Sequence, residues 1–268
     1  MRTLLFLIFL IGTFSSSFAC SVVYYVDKET GKVYVANNED YWYDVKAFIQ
    51  LEPRRGKELA RLWYGWDGFA QGGVNEAGLF FDGAVTPEQE DVETKGMKGN
   101  MGDQLLAGCR TVEEALKFLD ENGVALSNAH MMLGDKAGNA VVVEWVRGKR
   151  ELHWLADNKL VMTNFLLSDT TQGNYPCPRY ASIQENIDLL EQKEEAATLL
   201  SVGNVLGRAA QPPKPDADGK VGGTLYSSFI NLSDMEFVMV YKLDNQKVTK
   251  LDLATEFANT KRQKIKLR

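Results

Sequence analysis

The chain has 268 residues, 45% hydrophobic, 10% aromatic and 25% charged, which is the make-up of a globular protein of one domain or at most two and excludes disorder and fibrous repeats. Thirty basic against 36 acidic side chains leave a formal charge of -6, which argues against nucleic acid or anionic lipid as a partner, since both need a basic patch. The ending run Lys261-Arg262-Gln263-Lys264-Ile265-Lys266 reads as a solvated terminus. Two histidines, His130 and His153, stand in no metal-ligand spacing, so zinc chemistry is not expected.

At the N-terminus Arg2 precedes the apolar run Leu4 to Ile11 and the small-residue stretch Ser15 to Ala19, the pattern of a secretory signal peptide over residues 1–19 cut after Ala19. The run is shorter than the roughly 18 apolar residues of a bilayer-spanning helix, and no later segment supplies one. The expected mature domain, residues 20–268, is secreted or periplasmic and begins with Cys20. Three readings of Cys20 stay open: a lipid anchor, a catalytic nucleophile, or a coincidence of the cleavage site. Ser17 and Phe18 match a lipidation signal poorly. A free N-terminal cysteine joins a thiol, of reference pKa about 8.5, to an α-amine near 8, so one residue can serve as nucleophile and base. Of the three cysteines, Cys109 and Cys177 could pair and leave Cys20 over, or stay reduced.

Strands in consecutive hairpins follow. Ser21 to Val26 and Val33 to Asn37 flank a Gly31 turn. Phe69 to Val74 and Leu79 to Val85 flank Asn75-Glu76-Ala77-Gly78. Met131 to Gly134 and Ala140 to Trp145 flank Asp135 to Gly138, and Tyr226 to Leu232 precedes Glu236 to Leu243. Both histidines fall in strand-like runs, which speaks against a Cys-His dyad. Helices intervene. Val112, Ala115, Leu116 and Leu119 recur at helical spacing behind a Thr111–Glu114 capping box and before Gly123. A second set, Tyr180, Ile183, Ile187 and Leu190, starts after Pro178. A third helix is predicted over roughly Glu194 to Ala210, and Gln211 to Gly223 reads as a surface loop. Stretches Glu52 to Trp66 and Pro87 to Met101 read as loops beside a pocket. The pattern implies an α+β domain with helices covering antiparallel sheets.

Several pieces occur in one order: Cys20-Ser21-Val22, Gly31-Lys32-Val33, Asn38-Glu39-Asp40-Tyr41-Trp42, Gly73 to Leu79, Leu133 to Gly138 leading to Val143-Glu144, and Met162-Thr163-Asn164. In this the chain resembles the N-terminal-nucleophile cysteine hydrolases of the choloylglycine hydrolase and linear amide hydrolase group, which includes penicillin V acylase, acid ceramidase and isopenicillin N acyltransferase. The resemblance spans about Cys20 to Tyr241. It implies a four-layer αββα sandwich, with Cys20 as a nucleophile freed by proteolysis. Asp40 then matches the carboxylate that holds the nucleophile region and α-amine, and Asn164 the amide that stabilises the oxyanion. Taken without the resemblance, Asp40 is a hairpin residue and Asn164 a strand-end cap. The group's arginine beside the nucleophile is replaced by Asn37, and Arg179 matches an arginine that follows the oxyanion asparagine in part of the group. Val85 stands where bile-salt hydrolases carry an asparagine. The implied activity is hydrolysis of a small linear amide without a cofactor; a lipid-anchored binding protein or a member that has lost catalysis are the alternatives.

Overall fold

A computed structural model describes residues 20–92 and 97–268; the expected signal segment, residues 1–19, lies outside them. In chain order the first strands are β1 (Ser21–Val26), β2 (Val33–Trp42), β3 (Phe48–Glu52), β4 (Arg61–Trp66), β5 (Phe69–Asn75) and β6 (Leu79–Val85). Helices α1 (Met101–Gly108) and α2 (Val112–Glu121) lead to β7 (Ala129–Asp135), β8 (Ala140–Val146), β9 (Lys149–Trp154) and β10 (Lys159–Met162). Then come α3 (Pro178–Glu191), α4 (Leu199–Gly207), β11 (Lys214–Pro215), β12 (Val221–Asn231), β13 (Glu236–Tyr241), β14 (Val248–Asp252), α5 (Leu253–Ala258) and β15 (Gln263–Lys266).

Two antiparallel sheets carry the strands. One has the order β10-β1-β2-β12-β13-β14 with β11 on β12; the other runs β15-β3-β4-β5-β6-β7-β8-β9. Strand alternation divides the apolar side chains among three clusters. Val22 and Tyr24 of β1 meet Leu62, Tyr64, Phe80 and Met132 between the sheets. Val23, Tyr25, Tyr34 and Ala36 face the other way, onto Ile183 and Ile187 of α3 and Val202 and Leu206 of α4. Outside the second sheet, Trp63, Phe81, Leu133 and Val143 pack on Leu105 of α1 and Leu116 and Leu119 of α2. The layers are therefore helix, sheet, sheet, helix, the expected αββα sandwich. Each large apolar side chain removed from water in these layers contributes about 1.5–3 kcal/mol.

Local chemistry fixes the helix starts. The Thr111 side chain accepts from the Glu114 amide at α2, Pro178 occupies the first turn of α3, and Thr198 and Ser201 cap α4 reciprocally. Three sequence expectations are corrected, and of the two readings of Cys109 and Cys177 the reduced one holds. The third helix is shorter, Leu199–Gly207, because Thr198 caps it. Glu52 to Trp66 is not wholly loop, since β4 begins at Arg61 and pairs with β3 and β5. The basic ending run is an edge strand, with Ile265 opposite Ile49 of β3. Cys109 and Cys177 are free and buried: Cys109 lies among the α1 and α2 contacts on one outer layer, whereas Cys177 starts α3 on the other.

Candidate active site

Cys20 stands just before β1, and the β1–β2 register, Ser21 opposite Asn38, brings it beside Glu39. Alternation then sorts the neighbouring side chains. Cys20, like Val22, points between the sheets, as do Asn37 and Glu39, two and four residues beyond Val35. Asn38 points to the helix side, where its amide donates to the Leu206 carbonyl of α4. Asp40 shares that parity.

The Cys20 Sγ–H donates to Glu39 Oε1 at 3.3 Å, and both residues are only 4% exposed. Burial pushes the thiol well above its usual range, and the Glu39 and Asp40 carboxyls push it the same way; a hydrogen bond from the Asp40 backbone N–H opposes them. Glu39 is raised far above an ordinary glutamate by burial and by Asp82 behind it. Burial pushes Asp82 up to about 8, although Tyr64 Oη donates to its Oδ2 and Asn37 Nδ2 to its Oδ1, each at 2.7 Å. Ser228 Oγ donates in turn to Tyr64 Oη at 3.1 Å. Gly72 makes room for this group, since a Cβ there would overlap the Asp82 carboxylate and the Tyr64 ring.

Asp40 is held from the helix side. Its Oδ1 accepts from Thr224 Oγ1 at 2.5 Å, and its Oδ2 is buried without a partner among the described residues. Burial pushes its carboxyl up to about 7, tempered by the Thr224 hydrogen bond and the nearby Arg179 charge. Arg179, in the first turn of α3, ties the pieces together. Its Nη1 donates to the Cys20 carbonyl at 2.7 Å and to Ser21 Oγ at 2.6 Å, and its Nη2 donates to Asn164 Oδ1 at 3.2 Å. Asn164 Nδ2 donates one of its two N–H groups to the Val85 carbonyl at 2.7 Å. The amide is thus fixed at both ends.

A buried contact between His130 and Glu144 supports the Asn164 segment. His130 Nδ1 lies 2.9 Å from Glu144 Oε1 and its Nε2 lies 2.6 Å from the Thr163 carbonyl. Burial would raise Glu144, but hydrogen bonds from His130 and Ser168 outweigh it and lower the carboxyl to about 2. Glu144 also accepts the Leu167 and Ser168 backbone N–H groups, so it anchors the chain just after Asn164. A cavity of about 240 Å³ opens on this site, lined by Cys20, Glu39, Gln71, Phe81, Val85 and Met131 among others. Larger cavities, about 770 Å³ beside α4 and β12–β14 and about 620 Å³ between α3 and α4, hold neither Cys20 nor Asn164. Among the described residues no group of three or more His, Cys, Asp or Glu is placed to hold a metal ion.

Of the residues singled out from sequence, Cys20, Asn164 and Arg179 meet through direct hydrogen bonds. Asp40 joins them through its backbone N–H and its charge, while its side chain lies on the opposite face of the sheet from the thiol. Sequence reasoning missed Glu39, Asp82 and Tyr64. The β1–β2 hairpin held a signal for Glu39: with Cys20 just before β1 and Glu39 opposite it across the hairpin, the period of two sends Glu39 to the thiol's side and Asp40 away from it.

The family described as acyl-coenzyme A:6-aminopenicillanic acid acyl-transferase matches residues 27–242. By sequence, no curated protein matches the chain. In structure the chain is similar to a variant of conjugated bile acid hydrolase from Clostridium perfringens, at 17% identity and TM-score 0.73, covering 92% of this chain and 97% of that one. It is also similar to penicillin V acylase from Agrobacterium tumefaciens, at 19% identity and TM-score 0.70, covering 91% and 90%. The shared fold and the matched span place it with amide hydrolases and acyltransferases of the N-terminal-nucleophile type. The chain belongs to the acyl-coenzyme A:6-aminopenicillanic acid acyl-transferase family, within the choloylglycine hydrolase and N-terminal-nucleophile acylase group.

Proposed function

We propose that this protein is an exported hydrolase that cleaves a small linear amide through an acyl-enzyme on Cys20, freed as the N-terminal residue by cleavage after Ala19. The observation that carries this reading is Arg179, which bonds the Cys20 carbonyl, the Ser21 hydroxyl and the Asn164 amide at once. That clamp holds a nucleophile and an oxyanion donor in one geometry, the arrangement that turns binding into rate. The buried thiol adds support, because Sγ faces Glu39 and a cavity of only about 240 Å³ rather than open solvent.

In the simplest scheme the Cys20 thiol passes its proton to its own α-amine and attacks the amide carbonyl. The second Asn164 N–H and a backbone N–H stabilise the tetrahedral oxyanion, a type of interaction worth about 3–4 kcal/mol. The ammonium proton goes to the leaving nitrogen, the C–N bond breaks, and water then hydrolyses the thioester. Arg179 near the Cys20 main chain and Asp40 takes the electrostatic place left by Asn37.

The test is the intact mass of protein exported with its own leader, followed by an amidase screen of the product on N-acyl amines and acylated amino acids. A mass starting at an unmodified Cys20, with turnover lost in Cys20→Ser, is the expected result. A lipid increment on Cys20, or full amidase activity in Cys20→Ser, overturns the reading.

A further inference from the structure

The thiol has a closer proton partner than the scheme above uses. Glu39 Oε1 accepts the Cys20 Sγ–H, and Glu39 Oε2 is buried with no partner in hydrogen-bonding geometry among the described residues. Both residues line the same cavity of about 240 Å³. Behind them Asp82 accepts full hydrogen bonds from Asn37 and Tyr64, which favour its ionised form. Glu39 receives only the thiol's bond, with the Asn37 amide near enough to temper its rise. When the two coupled carboxyls hold a single proton, the donors therefore leave it on Glu39. A neutral carboxyl can take a proton on one oxygen while releasing another from the second.

We propose that Glu39 is a catalytic residue that carries the Cys20 proton to the leaving amine, in place of the α-amine; this rests on the reading of Cys20 as the nucleophile. The Sγ–H bond breaks as Oε1–H forms, and the sulfur electron pair makes the S–C bond to the substrate carbonyl. The Oε2–H bond breaks as N–H forms on the departing nitrogen, and the C–N bond breaks with it. The two transfers are concerted, so Glu39 gains one proton as it gives up the other and stays neutral, and the charge that develops lies on the substrate, where Asn164 meets the oxyanion. In the second half water gives a proton to Oε2, its oxygen bonds the acyl carbon, the S–C bond breaks, and the Oε1 proton returns to sulfur.

The groups around this pair are Asp40 of β2, Tyr64 of β4, Asp82 of β6, His130 of β7, Tyr226 of β12 and Arg179 of α3. All stay in place in Glu39→Gln, a near-isosteric change that removes only the proton relay. Two measurements on the mature chain test it. The first compares hexanoyl p-nitroanilide with p-nitrophenyl hexanoate, whose phenolate departs without a proton. Glu39→Gln should slow single-turnover acylation by both, since both need the thiol proton removed, but the anilide by roughly a hundredfold or more beyond the ester, because only the anilide also needs a proton on its leaving group. The second, which needs no substrate, is the pH profile of Cys20 alkylation by iodoacetamide. Removing a carboxyl that hinders thiolate formation should move its midpoint down by about one unit or more. Equal loss on both substrates, unchanged anilide turnover, or a midpoint that stays or rises overturns the role of Glu39. If the wild type cleaves neither substrate, the alkylation profile decides alone. A Cys20→Ser variant that still cleaves the anilide removes the nucleophile reading instead, so the two failures are distinguishable.

Discussion

Arg179 Nη1 donates to the carbonyl oxygen of Cys20 at 2.7 Å, so a helix of one outer layer grips the residue just before the first strand. The same guanidinium reaches Asn164, and its planar fork makes both contacts where a lysine would offer a single point charge. Arg179→Lys is expected to lower amide kcat by about tenfold or more and to destabilise the protein by about 1–3 kcal/mol, from acceptors left unpaired. Steady-state kinetics with urea unfolding check this. Unchanged kcat with lower stability would reduce Arg179 to a structural tie.

Asn164→Ala deletes the N–H left over after the bond to Val85. Loss of one oxyanion donor costs about 10²–10³ in kcat in related chemistry, and the same range is expected here with KM changed only a few-fold. A loss carried wholly by KM would assign Asn164 to substrate binding.

The inter-sheet carboxyls set a pH dependence of stability. Burial raises Glu39 and Asp82, Asp82 to about 8, whereas both titrate near 4 when unfolded. From about pH 4 to 8 the folded state therefore holds more protons than the unfolded state, and stability falls as pH rises. Carboxyls that are lowered, such as Glu144 and Asp169 at about 2, act the opposite way, and their stabilisation is lost only as pH falls through that acidic range. Urea unfolding should give a lower free energy at pH 8 than at pH 5.5. Asp82→Asn should flatten that slope, by at most about 1.4 kcal/mol per pH unit for one group. Identical slopes in the two proteins would show that Asp82 does not titrate in this window.

Cys109 is buried and its thiol is pushed up to about 12, first by burial and then by Glu114 and Glu121. With Cys177 buried and free as well, neither should react with a disulfide reagent in the native protein, while the denatured chain should titrate three thiols without prior reduction. A single thiol in the denatured, unreduced protein would mean that Cys109 and Cys177 pair after all.

Much of the architecture was legible because it rests on local patterns. Period-two alternation marked the hairpins, and Thr111 with Glu114 and Pro178 marked helix starts that the structure keeps. Helix α1 went unseen because its eight residues carry a weak apolar face that only Trp63, Phe81 and their neighbours complete. The ending strand β15 hid behind lysines because an edge strand needs few apolar residues of its own.

By itself the sequence determined the α+β class and the order of the hairpins, and the resemblance singled out Cys20, Asp40, Asn164 and Arg179 as candidates. The class and the hairpins follow from spacing along the chain, which the amino acids carry openly. Only the tertiary structure decided which face each residue takes and what it meets there. Glu39 rather than Asp40 faces the thiol, and Asp82 and Tyr64 lie behind Glu39 although 43 and 25 residues separate them from it in the chain. Pairing register and the closure of two sheets over one core make those contacts, and no local pattern encodes a partner on the opposite sheet.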